Sequence, residues 1–122
     1  MRRFILTGAP GSGKTSILRV LADMGYPVVE EAATDVNAEA LARGEADPGA
    51  DPLFIDRIAR LQRQRRAGPV PAGAAVQVHD RSAVCTLALA RWVGRPVTAA
   101  LREELAEITA AGTFYRRVFF VR

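Results

Sequence analysis

Lysine is almost absent from this sequence. Of its 17 basic residues, 16 are arginines and only Lys14 is a lysine. The planar fork of arginine suits paired contacts with a carboxylate, whereas an ammonium group acts as a compact point charge. Because arginine is used at every other basic position, the sequence indicates a specific need for an ammonium group at position 14.

Cysteine and long apolar runs are also scarce, and each absence excludes a class of protein. The single Cys85 rules out an internal disulfide and is typical of a reducing cytoplasm. No apolar run approaches the roughly 18–20 residues that a bilayer crossing needs. Residues 1–4 lead directly into an apolar segment, which does not resemble a cleavable signal peptide. We therefore expect a cytoplasmic protein without a membrane partner.

Histidine and aromatic residues are too few to support two further functions. His79 has no second histidine or cysteine at ligand spacing, so the sequence predicts no metal role for it. Aromatic residues make up 7% of the chain and are not interleaved with the arginines, and the net charge is a modest +4, so nucleic-acid binding is not favoured. The 122 residues, 49% hydrophobic and 25% charged, indicate a single globular domain over residues 1–122.

The strongest motif contains Lys14. Residues 8–15 are Gly-Ala-Pro-Gly-Ser-Gly-Lys-Thr, which fits the phosphate-loop pattern G-x-x-x-x-G-K-[ST] without a mismatch. A strand-prone apolar run, 4–7, precedes the motif, and apolar residues at helical spacing follow it over 16–24. This order directs backbone N–H groups and the positive end of the helix dipole at a phosphate. The residues assigned to the phosphate loop are Gly8, Ala9, Pro10, Gly11, Ser12, Gly13, Lys14, Thr15 and Ser16.

The motif predicts a nucleoside triphosphate or a related polyphosphate as ligand. The ammonium group of Lys14 can lie along a β/γ-phosphate edge, and the hydroxyl of Thr15 is an oxygen ligand of the kind that Mg²⁺ prefers. Gly11 and Gly13 permit the unusual backbone angles and the close approach of phosphate.

Strand and helix signals alternate along the rest of the chain, which predicts an α/β fold with a mostly parallel sheet. Further strands are predicted at 26–30, 74–80 and 115–121. Further helices are predicted at 33–43, 52–67, 82–93 and 98–111. Asp51, Ser82 and Thr98 are the expected amino-terminal caps of the last three helices.

Asp80 and Arg81 end the strand predicted at 74–80. Ligands of open α/β sheets collect at the carboxyl ends of the strands, where the phosphate loop also lies. Asp80 can hold Mg²⁺ through water or orient an attacking hydroxyl, and Arg81 can neutralise a phosphate oxygen or grip the acceptor. We therefore assign Asp80 to catalysis and metal binding and Arg81 to catalysis, and the alternative is a surface ion pair at a helix start.

Two carboxylates, Glu30 and Glu31, end the second predicted strand at the same edge. One of them is a candidate general base, if burial or its acidic neighbour raises its pKa. The alternative is that Glu31 is solvated and Glu30 caps the following helix.

Several arginines on the helix predicted at 52–67 lie opposite its apolar stripe. A solvated basic face is the first interpretation of such a run, and an anionic substrate between this helix and Arg81 is the second. Arg116 and Arg117 also lie in reach of phosphates if their strand points that way.

The aromatic strand that ends at residues 119–121 needs cover on both of its faces. We expect that either a carboxyl-terminal part of the domain is missing or a second copy of the chain covers this strand.

Four blocks of the sequence together resemble the AAA-domain family of small P-loop ATP-binding proteins, which is similar to nicotinamide-riboside kinases and, more distantly, to deoxynucleoside kinases. The blocks are residues 7–16, 28–33, 80–89 and 116–121. The resemblance implies a three-layer, kinase-like P-loop fold with strand order 2-3-1-4 and ATP with Mg²⁺ as ligands. It implies that members continue for some dozens of residues after the block at 116–121.

The resemblance also implies roles for single residues. Lys14 and Thr15 would hold phosphate and Mg²⁺, and Asp80-Arg81-Ser82 resembles the acid-Arg-Ser motif of deoxynucleoside kinases. Glu30 resembles the carboxylate after the second strand that engages the acceptor hydroxyl. The expected reaction is γ-phosphoryl transfer to a small, nucleoside-like hydroxyl acceptor. Two alternatives stay open: an ATPase switch that acts on a protein partner, and a nucleotide-binding fragment without turnover.

Overall fold

The computed structural model describes all residues from Met1 to Arg122 and consists of alternating strands and helices. The strands are β1 (Arg2–Gly8), β2 (Val28–Val29), β3 (Val76–Asp80) and β4 (Val118–Val121). The helices are α1 (Lys14–Asp23), α2 (Ala32–Ala42), α3 (Phe54–Arg66), α4 (Ala83–Trp92) and α5 (Ala99–Ala110). A short 3₁₀ helix, Pro48–Ala50, interrupts the loop between α2 and α3.

The four strands form one parallel sheet in the order β2-β3-β1-β4, which confirms the predicted fold class and strand order. Leu6 of β1 is level with Asp80 of β3, and Gly8 of β1 is level with Val121 of β4. The carboxyl ends of these three strands therefore meet at one edge, directly below the loop that leads into α1.

The two faces of the sheet carry different layers. Val78 packs with Leu6 and with Leu18 of α1 on one face. Because side chains alternate along a strand, His79 points to the other face. There its ring meets Phe114 edge-on, with 4.9 Å between the ring centroids. Phe114 packs in turn against the apolar cluster that α3, α4 and α5 share.

Several predicted element boundaries differ from the structure: the strands predicted at 26–30 and 74–80 are shorter, at Val28–Val29 and Val76–Asp80, and two other elements begin later than predicted. The helix predicted to begin at Pro52 begins at Phe54, because the Asp51 carboxylate accepts a hydrogen bond from the Leu53 N–H at 2.8 Å and forms a turn before the helix. The strand predicted from Tyr115 begins at Val118, although the Tyr115 N–H donates to the Arg3 carbonyl at 2.8 Å.

The two other expected caps are confirmed. The Ser82 hydroxyl accepts a hydrogen bond from the Val84 N–H at 3.2 Å, and the Thr98 hydroxyl accepts one from the Leu101 N–H at 3.3 Å. These caps place the starts of α4 and α5 where the sequence predicts them, within one residue.

The arginines of α3 all pair with carboxylates, although Arg60 and Arg63 stay more than half exposed. Arg66, 14% exposed, holds Glu104 of α5 with two hydrogen bonds of 2.7 and 2.8 Å, and these bonds raise the pKa of Arg66. Glu104 is 2% exposed. Arg65 binds Asp35 of α2. The interpretation of a solvated basic face is therefore wrong for Arg66, which links α3 to α5.

One apolar surface stays open beside α1. Phe119 and Phe120 of β4 are more than half exposed, and they line a wide trough together with Met24 and Tyr26 near the end of α1. The expectation that a second copy of the chain covers this strand stays a prediction. None of the helices combines the length and the apolar character that a bilayer crossing requires.

The buried pair between α3 and α5 gives a first test. Glu104→Gln should lower the free energy of unfolding by about 2 kcal/mol, because the buried Arg66 then keeps only Glu107, at 2.9 Å, as a charged partner. Glu103→Gln is the matched control on the same helix, since Glu103 is exposed and 3.9 Å from Arg63. It should change the free energy by less than about 0.5 kcal/mol in urea unfolding. Equal effects of the two substitutions would contradict the structural role of Glu104.

His79 gives a second test, through pH. Its ring shares a hydrogen bond of 2.9 Å with Gln77, and burial, then Arg3 and Arg66, lower its pKa from 6.5 to about 4. Between these two values the unfolded chain binds a proton that the folded chain does not, so the free energy of unfolding falls as pH falls. The loss from pH 6.5 to pH 4 should reach roughly 2–3 kcal/mol at most.

The comparison for this test is His79→Gln, which lacks the titrating ring. Urea unfolding at several pH values should show the decrease below pH 6.5 in the parent chain and a flatter dependence in the variant. Asp80, whose pKa is raised, contributes the opposite slope, and it is present in both proteins. Identical slopes would show that His79 is not the group that titrates.

Candidate functional site

The phosphate loop forms a tight turn that leaves backbone donors unused. The Ser12 N–H donates to the Ala9 carbonyl at 3.1 Å, and Gly11 and Gly13 adopt φ angles of 77° and 98°, where residues with a side chain are strained. The first three N–H groups of α1, those of Lys14, Thr15 and Ser16, donate no hydrogen bond within the chain. The first turn of α1 contains no acidic residue. This helix start therefore offers donors to an anion.

Gly8 is required where the loop begins. A Cβ atom at this position would lie 2.4 Å from the Val121 carbonyl oxygen and 3.0 Å from the Ser12 hydroxyl oxygen. The backbone of β4 thus runs directly against the start of the loop, and any side chain at position 8 would force the two apart.

Lys14 is buried, with 6% of its surface exposed, although it carries a charge. Its only carboxylate neighbour within 4.0 Å is Glu31, whose Oε2 atom is 4.0 Å from the Lys14 Nζ atom. This distance is too long for a hydrogen bond, so the ammonium group keeps donors available.

Asp80 lies at the same edge of the sheet, as predicted from the sequence. Its side chain is 5% exposed, and its Oδ1 atom has no hydrogen-bond partner. Burial and the neighbouring Glu31 raise the pKa of Asp80, while Lys14 and Arg81 act in the opposite direction. Asp80 is therefore a buried carboxyl group within the electrostatic range of both cations.

Arg81 joins the end of β3 to the start of the loop. Its φ angle of 66° is uncommon for a residue other than glycine, asparagine or aspartate. Apart from glycines, Arg81 is the only residue of the chain with a positive φ angle. Its N–H donates to the Leu6 carbonyl at 2.9 Å, and its Nη2 atom donates to the Gly8 carbonyl at 2.7 Å. Its Nε atom is 3.6 Å from Glu31 Oε1 and lacks a hydrogen-bond partner. The guanidinium group is thus held at the loop rather than in solvent.

Of the two carboxylates after β2, Glu31 is the one that lies beside the phosphate-loop cations. The side chain of Glu30 is exposed, and its backbone carbonyl accepts a hydrogen bond from Arg65 at 3.0 Å. Glu31 occupies the position before α2, and its side chain makes no cap hydrogen bond. Glu30 and Glu31 are the two residues that connect β2 to α2, and the sequence pattern alone does not distinguish them.

The unsatisfied polar atoms of the structure are concentrated at this edge. Only three buried side-chain nitrogen or oxygen atoms lack a hydrogen-bond partner: Ser12 Oγ, Asp80 Oδ1 and Arg81 Nε. All three belong to the phosphate loop or to the end of β3. Because buried polar groups are nearly always paired in proteins, such a concentration is typical of a site that binds a polar ligand.

The two arginines before β4 do not reach the loop. β4 runs parallel to β1, and Val118 is level with Ile5, so Arg116 and Arg117 lie toward the opposite edge of the sheet. Arg122 follows Val121, which is level with Gly8, and is therefore the arginine of this segment at the loop edge. Arg122 is not among the residues predicted from the sequence, because only the direction of β4 identifies it.

A small polar cleft extends from Asp80 and Arg81 toward α3. Its volume is about 20 Å³, roughly that of one water molecule. Its lining residues include Glu30, Gln62, Arg66, His79 and Phe114. The cleft brings together the end of β3, the start of α2 and the buried Arg66–Glu104 pair.

The comparisons with known proteins agree with this geometry. The family profile described as "AAA domain" matches residues 3–122. A crystal structure of a NadR protein in complex with NR matches with a TM-score of 0.71 and 21% identity, over 98% of this chain and 33% of that chain. The chain thus spans about one third of that protein, and the likeness shows the fold. The search among curated proteins found no match.

The family match covers nearly the whole chain and includes the phosphate loop, β3 with Asp80, and β4. The parallel sheet in the order β2-β3-β1-β4 is that of a P-loop kinase fold. The chain therefore belongs to the AAA-domain family and is a P-loop nucleotide-binding protein.

Proposed function

We propose that this protein binds ATP with Mg²⁺ and transfers the γ-phosphoryl group to a small, nucleoside-like hydroxyl acceptor. The observation that carries the proposal is the cluster of unsatisfied donors and acceptors around the buried Lys14. A polyphosphate accepts hydrogen bonds from donors of this kind, and a metal ion or a hydroxyl group satisfies the carboxyl oxygen.

The phosphates would be held by the loop. The N–H groups of Lys14, Thr15 and Ser16 have no acceptor within the chain, and the nearest carboxylate to the Lys14 ammonium group is 4.0 Å away. Arg81 is held against the Gly8 carbonyl, so its position at the loop is fixed before a ligand arrives. Positioning of this kind favours phosphoryl transfer because the charge on the transferred group is neutralised without rearrangement of the protein.

The residues present fit a Mg²⁺ ion that the nucleotide shares. Mg²⁺ bound with substrate phosphates usually takes only one or two protein ligands and keeps several waters. The exposed hydroxyl of Thr15 and the unpartnered Oδ1 atom of Asp80 are oxygen donors at the loop, and no group of three or more acidic, histidine or cysteine side chains is arranged to hold a metal by itself. When bound, the ion would neutralise charge on the phosphate oxygens.

The acceptor would occupy the cleft between β3 and α3. The likeness to a NadR protein solved in complex with NR supports a small-molecule acceptor. The cleft is too small for a nucleoside-sized molecule, so α2 or α3 must move outward for the acceptor to enter. Asp80 and Glu30 both line it, and either carboxylate would accept the proton of the acceptor hydroxyl.

The raised pKa of Asp80 suits this role. Burial disfavours its charged form, and the bound cations of a metal-nucleotide complex would favour that form again. A carboxyl group poised in this way can take up a proton as the hydroxyl attacks and the bond to the β-phosphate oxygen breaks.

Lys14→Ala tests the binding part of the proposal. The substitution removes the only ammonium group at the loop, so the dissociation constant for ATP with Mg²⁺ should rise about 100-fold in calorimetric titration. Arg19→Ala is the matched control, because Arg19 is an exposed cation on the same helix. It should leave the dissociation constant within about threefold of the parent value. Unchanged affinity of Lys14→Ala for ATP with Mg²⁺ would contradict the assignment of the phosphate loop.

Asp80→Asn tests the transfer part. Acceptor-dependent ADP release should fall about 100-fold, while affinity for the nucleotide changes less than about threefold. Asp23→Asn, an exposed position on α1, is the control and should keep the parent rate. Equal rates in Asp80→Asn and the parent chain would remove Asp80 from the mechanism. ADP release that no small acceptor stimulates would instead favour the ATPase switch.

A further inference from the structure

We propose that Glu31 is a built-in counter-anion that makes the phosphate loop select Mg²⁺-bound nucleotide over free nucleotide. The inference rests on the proposed binding of nucleotide at the loop, and it assigns to Glu31 a role separate from that of Asp80 and Glu30. Glu31 would act as a specificity-determining residue, without itself contacting the transferred phosphoryl group.

The position of Glu31 between two cations carries the proposal. Its Oε2 atom is 4.0 Å from Lys14 Nζ, and its Oε1 atom is 3.6 Å from Arg81 Nε. No other carboxylate lies within ion-pair distance of Lys14 or Arg81, and Glu31 is 22% exposed, so solvent screens it only in part. One carboxylate is therefore the shared ion-pair partner of the two cations that a phosphate would use.

Helix capping does not explain this carboxylate. Glu31 stands at the amino-terminal cap position of α2, yet its side chain makes no hydrogen bond to the N–H groups of that helix. A capping side chain would bend back to these donors. The carboxylate of Glu31 instead points across the loop to Lys14 and Arg81, as its two ion-pair distances require.

The charges at this edge lead to a preference between forms of the nucleotide. A free triphosphate carries about four negative charges near neutral pH and would meet Glu31 and Asp80 while it competes with Glu31 for the cations. The metal-bound triphosphate has two fewer negative charges, and its ion attracts both carboxylates. Glu31 therefore weakens the binding of free triphosphate much more than the binding of metal-bound triphosphate. In the proposed cycle this would keep free nucleotide from occupying the site unproductively.

The test compares ATP binding with Mg²⁺ and with EDTA in three chains. In calorimetric titration, Glu31→Gln should bind free ATP about tenfold more tightly than the parent chain does, because the competing charge is lost. Its affinity for ATP with Mg²⁺ should change less than about threefold, so the preference for the metal-bound form falls. Glu39→Gln, which removes an exposed carboxylate elsewhere on α2, is the matched control and should keep the parent preference.

A second probe and a second variant complete the test. Inorganic pyrophosphate without metal should stabilise Glu31→Gln against thermal unfolding more than it stabilises the parent chain, because it replaces the missing counter-anion of Lys14. Should Glu31→Gln not fold, Glu31→Ser gives the same comparison, since serine removes the charge and is a favoured cap for α2.

Two failures can be told apart. The role of Glu31 is overturned if Glu31→Gln, or Glu31→Ser in its place, keeps a preference for metal-bound ATP within threefold of the parent value. A parent chain that binds ATP neither with Mg²⁺ nor with EDTA overturns the proposed function itself, and the role of Glu31 with it.

Discussion

The hydrogen-bond register of β1 with its two neighbours is the constraint on which the site depends. Leu6 is level with Asp80, and Gly8 is level with Val121, so three strands end together. A slip of one residue would turn every side chain of a strand to the other face of the sheet. Asp80 would then leave the loop edge, and the Arg81 bond to the Gly8 carbonyl would be lost. The positions of Asp80 and Arg81 at the loop therefore depend on how the strands pair.

The charged side chains of the site make few hydrogen bonds with one another. Glu31 lies 4.0 Å from Lys14 and 3.6 Å from Arg81, distances longer than those of a close ion pair, and the Oδ1 atom of Asp80 has no partner. Elsewhere the chain pairs its charges closely, as in the Arg66–Glu104 contact that joins α3 to α5. The contrast has a physical consequence: close pairs stabilise the fold, whereas buried polar groups without hydrogen bonds keep donors and acceptors available for a ligand.

The sequence predicts the loop well because its glycines, its lysine and the flanking periodicities all depend on local structure. The strand order and the family follow from the resemblance, and both are confirmed. The choice between Glu30 and Glu31, the burial of Arg66 and the direction of Arg116 depend instead on how distant elements meet, which periodicity does not encode. The catalytic roles of Asp80, Arg81 and Glu30, and those of Lys14 and Thr15 in binding, stay predictions.

The central claim is that the loop before α1 binds the triphosphate. The most direct measurement is a nuclear magnetic resonance titration of the ¹⁵N-labelled chain with ATP and Mg²⁺, followed by its backbone N–H signals. The account predicts the largest shifts at Gly11, Gly13, Lys14 and Thr15, with smaller ones at Arg81. Saturable shifts confined to the α3 arginines, with the loop signals unmoved, would contradict it.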